Sequence, residues 1–147
     1  MITLAKGNLF EGKHDLLVNP VNCVGVMGKG LALEFKNRYP DIVKPYVEAV
    51  KEKRLRIGNV QVLHRMTNPD LIINFPTKDH WKDASTLEYI ELGLDSFLEK
   101  TKDLEIKSAG FPALGCGLGN LSWKTVCTIM LDKLSPLTYS ITIYAPF

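Results

Sequence analysis

A short apolar run, Leu16-Leu17-Val18, leads into a stretch from Asn19 to Gly30 that reads Asn-Pro-Val-Asn-Cys-Val-Gly-Val-Met-Gly-Lys-Gly, and an amphipathic run from Leu31 to Lys36 follows it. This order predicts a strand, a tight loop and a helix. Gly25, Gly28 and Gly30 let the backbone approach a ligand closely, and a helix that begins near Gly30 turns its unpaired N–H groups toward that ligand. The loop is therefore an anion cradle in prospect. Its spacing is not that of a Walker loop, because no Gly-Lys is followed by Ser or Thr, and Leu33 stands where Gly-x-Gly-x-x-Gly requires its third glycine. P-loop enzymes, kinases and the common dinucleotide fold are disfavoured.

The same strand-glycine-helix order recurs. Strand character at Ile106 to Phe111 runs into Pro112-Ala113-Leu114-Gly115-Cys116-Gly117-Leu118-Gly119-Asn120, and Ser122 is placed to cap a helix carrying Val126, Ile129, Met130 and Leu134. Elsewhere Ile2 to Ala5 reads as a first strand that delivers Asn8 to a loop. The helix after Gly30 should stop near Tyr39, ahead of Pro40, and Asp41 is placed to cap a further helix to about Lys53. Asn59 to Met66 and Leu71 to Phe75 predict a hairpin, with Pro76 to Asp83 as a loop. Ser85-x-x-Glu88 has the form of a capping box, and Leu87, Ile90, Leu94, Phe97 and Leu98 follow it at helical spacing to about Lys100. Tyr139 to Tyr144 closes the chain as a strand. The alternation implies an α/β fold with a mixed sheet and helices on both faces. In such open sheets ligands sit beyond the carboxyl ends of the strands, so two glycine loops there suggest a site for a diphosphate.

At 147 residues, 46% hydrophobic and 23% charged, the chain has the size of one globular domain, residues 1–147, with a single sizeable core. A net charge of +2 does not announce a nucleic-acid binder. Yet Lys29, Lys36, Arg38, Lys44, Lys51, Lys53, Arg54 and Arg56 crowd one segment, which is either a solvated helical surface or a basic face for a polyanion. Cys23, Cys116 and Cys127 have no metal-ligand spacing and are expected to be reduced thiols in a cytoplasmic protein. No apolar run reaches membrane-spanning length.

Taken together, Lys6-Gly7-Asn8-Leu9, the stretch from Asn19 to Gly30, Phe75-Pro76-Thr77-Lys78, and the run from Pro112 to Trp123 resemble the macrodomains, which bind ADP-ribose. Within them, Val24 to Gly30 followed by Ala32-Leu33-Glu34-Phe35-Lys36 looks most like the DarG branch, antitoxin macrodomains that remove ADP-ribose from DNA bases. The human terminal ADP-ribose glycohydrolase is a more distant relative. The resemblance spans the chain and implies a three-layer α/β/α macrodomain with a central mixed sheet. It implies that Val26, Met27, Gly28, Lys29 and Gly30, together with Gly115, Cys116, Gly117, Leu118, Gly119 and Asn120, cradle the diphosphate and distal ribose, with Thr77 beside them. Asn8 and Leu9 would meet the adenine, Asn8 standing where many macrodomains place an Asp. Asn22 would reach the distal ribose or the attached base; read by itself, it is equally a turn former bonding its own loop.

Lys78 matches the lysine that this branch uses for catalysis, although alone it reads as a solvated loop lysine beside Asp79. Its amine, as nucleophile or proton-transfer group, would act at the ribose anomeric carbon. With a reference pKa near ~10.4, only roughly one such amine in a thousand is neutral at pH 7, so the site has to favour the neutral form. Where the human relative carries an acid in the second glycine loop, this chain has Gly119; Asp79 and His80 are nearby in sequence, and Trp81 is placed either to stack on a base or to pack on the core. The expected partners are ADP-ribose or ADP-ribosylated DNA, single-stranded, and a cognate DNA ADP-ribosyltransferase toxin, with no membrane, no cofactor and no metal; the expected state is a monomer. Against the leading expectation, a hydrolase of the ADP-ribose–DNA base bond, stand a non-catalytic ADP-ribose reader and an ADP-ribose 1''-phosphate phosphatase.

Overall fold

The computed structural model describes residues 1–146. Its strands are β1 (Ile2–Ala5), β2 (Leu16–Asn22), β3 (Gln61–His64), β4 (Leu71–Lys78), β5 (Ser108–Pro112) and β6 (Ser140–Tyr144). Its α-helices are α1 (Gly30–Arg38), α2 (Val43–Lys51), α3 (Leu87–Thr101) and α4 (Trp123–Leu134). The strands form one sheet in the order β1-β6-β5-β2-β4-β3. All neighbours are parallel except β3, which returns antiparallel along β4 in the expected hairpin. Among the described residues no helix is long and apolar enough to cross a membrane.

Two cores lie on the two faces of this sheet. Leu16, Val18, Ile73 and Phe75 point to one side, against Leu94 and Phe97 of α3 and Val126 and Met130 of α4. Leu17, Val21 and Ile72 point to the other, against Phe35 of α1 and Tyr46 and Ala49 of α2. The period-two alternation along β2 and β4 thus serves both faces at once, which is why these strands read as continuous apolar runs. The layers are helix, sheet, helix. In α3, Ile90, Gly93, Leu94, Phe97 and Thr101 form the buried stripe. Gly93 is required there because a Cβ would overlap the Phe75 ring. A polar row crosses the α1–α2 face: Asn19 Nδ2 donates to Asn74 Oδ1 at 3.0 Å, Asn74 Nδ2 to Gln61 Oε1 at 3.0 Å, and Gln61 Nε2 to the Pro45 carbonyl at 3.1 Å. It ties β2, β4, β3 and α2 into one register.

Several boundaries differ from those expected. β2 runs on to Asn22 and β4 to Lys78, through Pro20 and Pro76. Each proline sits where one flank of its strand has lost its partner. β5 pairs with β2 only at Leu16–Ala109 and Leu17–Gly110, and the β3 ladder on β4 ends at Gln61–Asn74, so the missing N–H breaks no bond there. The cap of α3 is Thr86, whose Oγ1 accepts from the Tyr89 amide at 3.2 Å; Ser85 is buried and its hydroxyl has no hydrogen-bond partner. Asp41 caps nothing. It lies in a short 3-10 turn, Pro40–Ile42, and accepts two bonds from Arg65, whose guanidinium holds its carboxyl below the usual carboxylate range. Ser122 does occupy the cap position of α4, without a side-chain cap bond.

Candidate functional site

β2 and β5 are neighbours whose next connections leave in opposite directions, β2 toward β4 and β5 toward β6. That is the topological switch point of an open sheet, where a crevice opens beyond the strand ends. A cleft of about 1000 Å³ lies there, between the loop ahead of α1, the loop after β5, the end of β4 and the C-terminal segment. Its size is at the upper end of the range for a drug-sized or nucleotide ligand.

The first loop is held by Asn22. Its Nδ2 donates to the Val26 carbonyl at 2.7 Å, and its Oδ1 accepts from the Val24 and Val26 amides at 3.1 and 3.4 Å. The buried Tyr46 hydroxyl lies 2.8 Å from that Oδ1 and 2.7 Å from the Asn22 carbonyl oxygen. Burial raises the Tyr46 pKa, so the hydroxyl stays a donor. Asn22 lines the cleft, but its polar atoms are spent on its own loop, the turn-forming alternative. Beyond it, Val26, Gly28, Lys29 and Gly30 line the cleft, while Met27 turns away into the core beside Phe35. Lys29 is the extended cap of α1 and makes no side-chain cap bond, so the first amides of α1 remain open for an anion at the cleft.

The second loop is a tight frame. Cys116 N bonds Ala113 O at 3.1 Å, Leu121 N bonds Gly115 O at 2.9 Å, and Ser85 N bonds Gly119 O at 3.1 Å. Gly115, Gly117, Leu118 and Gly119 line the cleft. Cys116 and Asn120 do not: Cys116 packs against the α3–α4 core, and burial, with the Cys127 thiol adding to it, pushes its thiol up to about 11. Gly117 and Gly119 differ sharply. A Cβ on Gly117 would meet nothing within 4 Å, whereas on Gly119 it would strike the Gly115 carbonyl and the Ser85 hydroxyl. The position where the human relative carries an acid is sterically closed here.

At the end of β4, Lys78 pairs in register with Asn22 after a bulge that skips Thr77. This corrects the expectation of a loop lysine. Its Nζ donates to the Trp81 carbonyl at 3.2 Å, and both residues line the cleft with Thr77 and Lys82. Trp81 is 45% exposed rather than packed on the core, with Lys82 Nζ 5.1 Å from its ring and the His80 ring 5.2 Å away. His80 Nδ1 accepts from the Lys82 amide, and the Asp79 carbonyl accepts from the Cys23 amide, so these two brace the loops around Lys78. Burial first, and then the Asp79 charge, push the Cys23 thiol up to about 11. It is no ready nucleophile.

At the opposite end stand Asn8 and Leu9. Asn8 caps the short 3-10 turn Leu9–Gly12, its Oδ1 accepting from the Phe10 amide at 2.9 Å. Beside them, where β6 ends next to β1, is a wall that the motifs do not announce, Tyr144, Ala145 and Pro146. Behind Tyr144, His14 bridges the Tyr144 hydroxyl and Ser108 Oγ at 2.7 and 2.6 Å. Glu34, on the second turn of α1, is also part of the lining, a role that its place in the Ala32-Leu33-Glu34-Phe35-Lys36 run does not announce. These contacts join positions more than 90 residues apart, such as His14 and Ser108, and leave no local signal.

Comparison with known proteins agrees with this architecture. The Macro domain model matches residues 18–130. The chain is 45% identical over 128 residues to the DNA ADP-ribosyl glycohydrolase of Mycobacterium tuberculosis, covering 86% of this chain and 36% of that protein. It is 40% identical to the protein of the same name from Thermus aquaticus, covering 99% of this chain and 41% of that protein. It therefore spans well under half the length of these relatives. Among solved structures, the macrodomain of Thermus aquaticus DarG superimposes with a TM-score of 0.95 at 40% identity, covering 99% of each chain. Thermosipho africanus DarTG in complex with ADP-ribose gives 0.94 at 38% identity, covering 99% of this chain and 42% of that one. With its mixed sheet, its cleft at the β2–β5 switch point and this family match across most of its length, the chain belongs to the macrodomain family.

Proposed function

We propose that this chain is an ADP-ribosyl glycohydrolase acting on modified DNA: it binds the ADP-ribosyl group in the cleft and cleaves the N-glycosidic bond to a DNA base. The observation that carries the reading is Lys78, held by a bulge at the end of β4 in the lining of a nucleotide-sized cleft. The names of the relatives support the chemistry and the acceptor.

In this reading the adenine lies between Asn8, Leu9 and the Tyr144–Pro146 wall. The diphosphate takes the amides from Gly28 to Gly30, where the first loop enters α1, and the face of Gly115 to Gly119. Cys116, Met27 and Asn120 shape the loops from behind. The distal ribose then sits at Thr77 and Lys78, with the attached base toward Trp81. The Lys78 amine, once deprotonated, attacks the anomeric carbon; the C–N bond to the base breaks, and the base leaves with its electron pair and takes up a proton. Water then displaces the lysine and releases ADP-ribose. Alternatively the same amine relays the proton without forming the bond. Either way the acceptor is a base of single-stranded DNA, and the transferase that modifies it is the natural opponent; a fusion of the two activities is the named nature of the Thermosipho africanus relative.

Incubation with ADP-ribosylated single-stranded DNA, with mass analysis of both products, tests the reading. It expects free ADP-ribose and an intact, unmodified strand. Binding without release would leave a reader, and inorganic phosphate from ADP-ribose 1''-phosphate would indicate the phosphatase.

A further inference from the structure

We propose that the cleft is only part of the substrate site, and that the single-stranded nucleic acid carrying the ADP-ribosyl group continues past β4 to a second, basic pocket at the β3 edge, where Lys53, Arg56 and Lys100 hold its phosphates. This rests on the reading of the cleft just given. Along the carboxyl ends of the strands, the site runs from β6 through β5 and β2 to β4, and the next strand is β3. A chain leaving the reacting end at Lys78 away from the diphosphate therefore meets the β3 edge.

A recess of about 690 Å³ lies there, between the segment after α2, the start of β3 and the end of α3. Its cations are Lys53, Arg54, Arg56 and Lys100, and the one acid in its lining, Glu52, is taken by Arg54 at 2.6 Å. Among the described residues no carboxylate lies within ion-pair distance of Lys53, Arg56 or Lys100. Two of the groups are nonetheless held in place: Arg56 Nη1 donates to the Lys53 backbone carbonyl at 2.8 Å and Lys100 Nζ to the Val60 carbonyl at 2.6 Å. Like charges fixed together without a counter-ion are a site for an anion. The Lys100 ammonium is disfavoured by burial and then by Arg56, a cost that a bound phosphate relieves.

The recess adjoins the first cleft loop. The Ile57 amide points at the Cys23 thiol, so the segment lining the recess rests against the first cleft loop. Gln61 pairs with Asn74, four residues before Lys78, which at ~3.3 Å per residue is a separation of roughly 13 Å along the strand. That is about four nucleotide steps at the ~3.4 Å stacked rise. In the cleft lining beside Lys78, Trp81 stands exposed with a lysine over its ring. An aromatic platform flanked by cations suits a stacked base, which favours a nucleic acid over an acidic protein.

The test measures affinity for an ADP-ribosylated single-stranded oligonucleotide, the same strand unmodified, free ADP-ribose, and polyglutamate, across a salt titration. The variant is Lys53→Asn with Arg56→Gln, asparagine being chosen because residue 53 has φ 57°. Loss of two phosphate contacts should weaken modified-strand binding by about fivefold or more and flatten the salt slope by about 1.4, leaving free ADP-ribose affinity unchanged. If the double variant does not fold, Lys100→Gln repeats the measurement. Strand affinity indifferent to these substitutions, with ADP-ribose still bound, overturns the proposal alone. Failure of the unaltered protein to bind ADP-ribose overturns the cleft reading and this proposal with it. Tighter binding of polyglutamate than of the unmodified strand also overturns it, in favour of an acidic protein.

Discussion

Asn22 and Lys78 face each other at the last rung of the β2–β4 ladder, and the rung exists only because the register slips by one residue between Val21 and Asn22. Val21 pairs with Pro76 and Asn22 with Lys78, so Thr77 is the extra residue of a bulge. A bulge re-aims the side chain that follows it. It thus places the residue that organises the first cleft loop beside the amine proposed to do chemistry.

Replacing Asn22 with Ala should therefore injure the cleft from within. The Val24 and Val26 amides and the Tyr46 hydroxyl lose their acceptor, and the Val26 carbonyl its donor. Because the Val24 and Val26 groups are solvent-accessible and only the Tyr46 hydroxyl is part-buried, a cost of about 1 kcal/mol in stability is expected, with ADP-ribose affinity falling by about tenfold or more as the loop loosens. Thermal melts and calorimetric titration read the two effects. An Asn22→Ala protein with normal ADP-ribose affinity would show that this loop does not shape the site.

Gly117 offers a cleaner probe of binding, because a Cβ there projects into open space and the backbone stays outside the left-handed region. Gly117→Val should leave the protein folded and fill the space a diphosphate needs, abolishing the rise in melting temperature that ADP-ribose gives by binding the folded state alone. A ligand-induced shift of unchanged size in the folded variant would exclude this loop from the site.

Gly119 should behave in the opposite way. Introducing Asp at the position of the human relative's acid forces its Cβ against the Gly115 carbonyl and the Ser85 hydroxyl. Overpacking of this kind costs about 1–3 kcal/mol, enough to lower the melting temperature of a chain this size by several degrees. No gain in turnover is expected. A Gly119→Asp protein of normal stability and faster turnover would mean that the loop yields and the acid was simply lost.

His14 links stability to pH. Burial lowers its pKa from 6.5, with Asp15 pulling weakly the other way, so the folded protein keeps the imidazole neutral between Ser108 and Tyr144. Below about pH 6.5 the unfolded chain binds a proton that the folded chain resists, so stability is fully present above that pH and is lost as pH falls toward the lowered folded value. Melting curves between pH 7 and pH 5 should show this decline, and His14→Gln should flatten it. Parallel declines in the two proteins would assign the effect to other groups.

Much of this was legible in the residues, and the rest fails for identifiable reasons. Helix α3 follows from its apolar spacing, and both glycine loops reach one cleft as their strand-loop-helix order implies. The ends of β2 and β4 were hidden because a proline reads as a break unless one knows that β5 and β3 have already left its flank. Ser85 and Thr86 are both plausible caps by spacing, and the choice falls to Thr86 because the second glycine loop takes the Ser85 amide. Met27, Cys116 and Asn120 sit within cleft loops yet outside the lining, since neighbours in a tight loop face different ways. The Tyr144–Pro146 wall is brought in by β6 and carries no motif of its own.

The decisive variant is Lys78→Ala, because it separates enzyme from reader. Here the side chain is placed by the β4 bulge and donates to the Trp81 carbonyl, while in the proposed reading the binding energy comes from the loops and the helix terminus. If the amine acts at the anomeric carbon, turnover should fall by about a hundredfold or more, with ADP-ribose affinity kept within about threefold. Loss confined to turnover marks a group used in the transition state. Lys78→Arg should fail as well, since a guanidinium keeps its proton and cannot become a nucleophile. Release of ADP-ribose from a modified oligonucleotide, followed by chromatography, gives the rates, and titration calorimetry gives the affinities. A hydride reductant added during turnover should trap a ring-opened imine as a mass increase on the peptide carrying Lys78 if the covalent route is taken; without the adduct, proton transfer by the same amine remains the route. De-modification by Lys78→Ala at the unaltered rate would remove the lysine from the chemistry and leave Glu34, the carboxylate of the cleft lining, as the next group to replace.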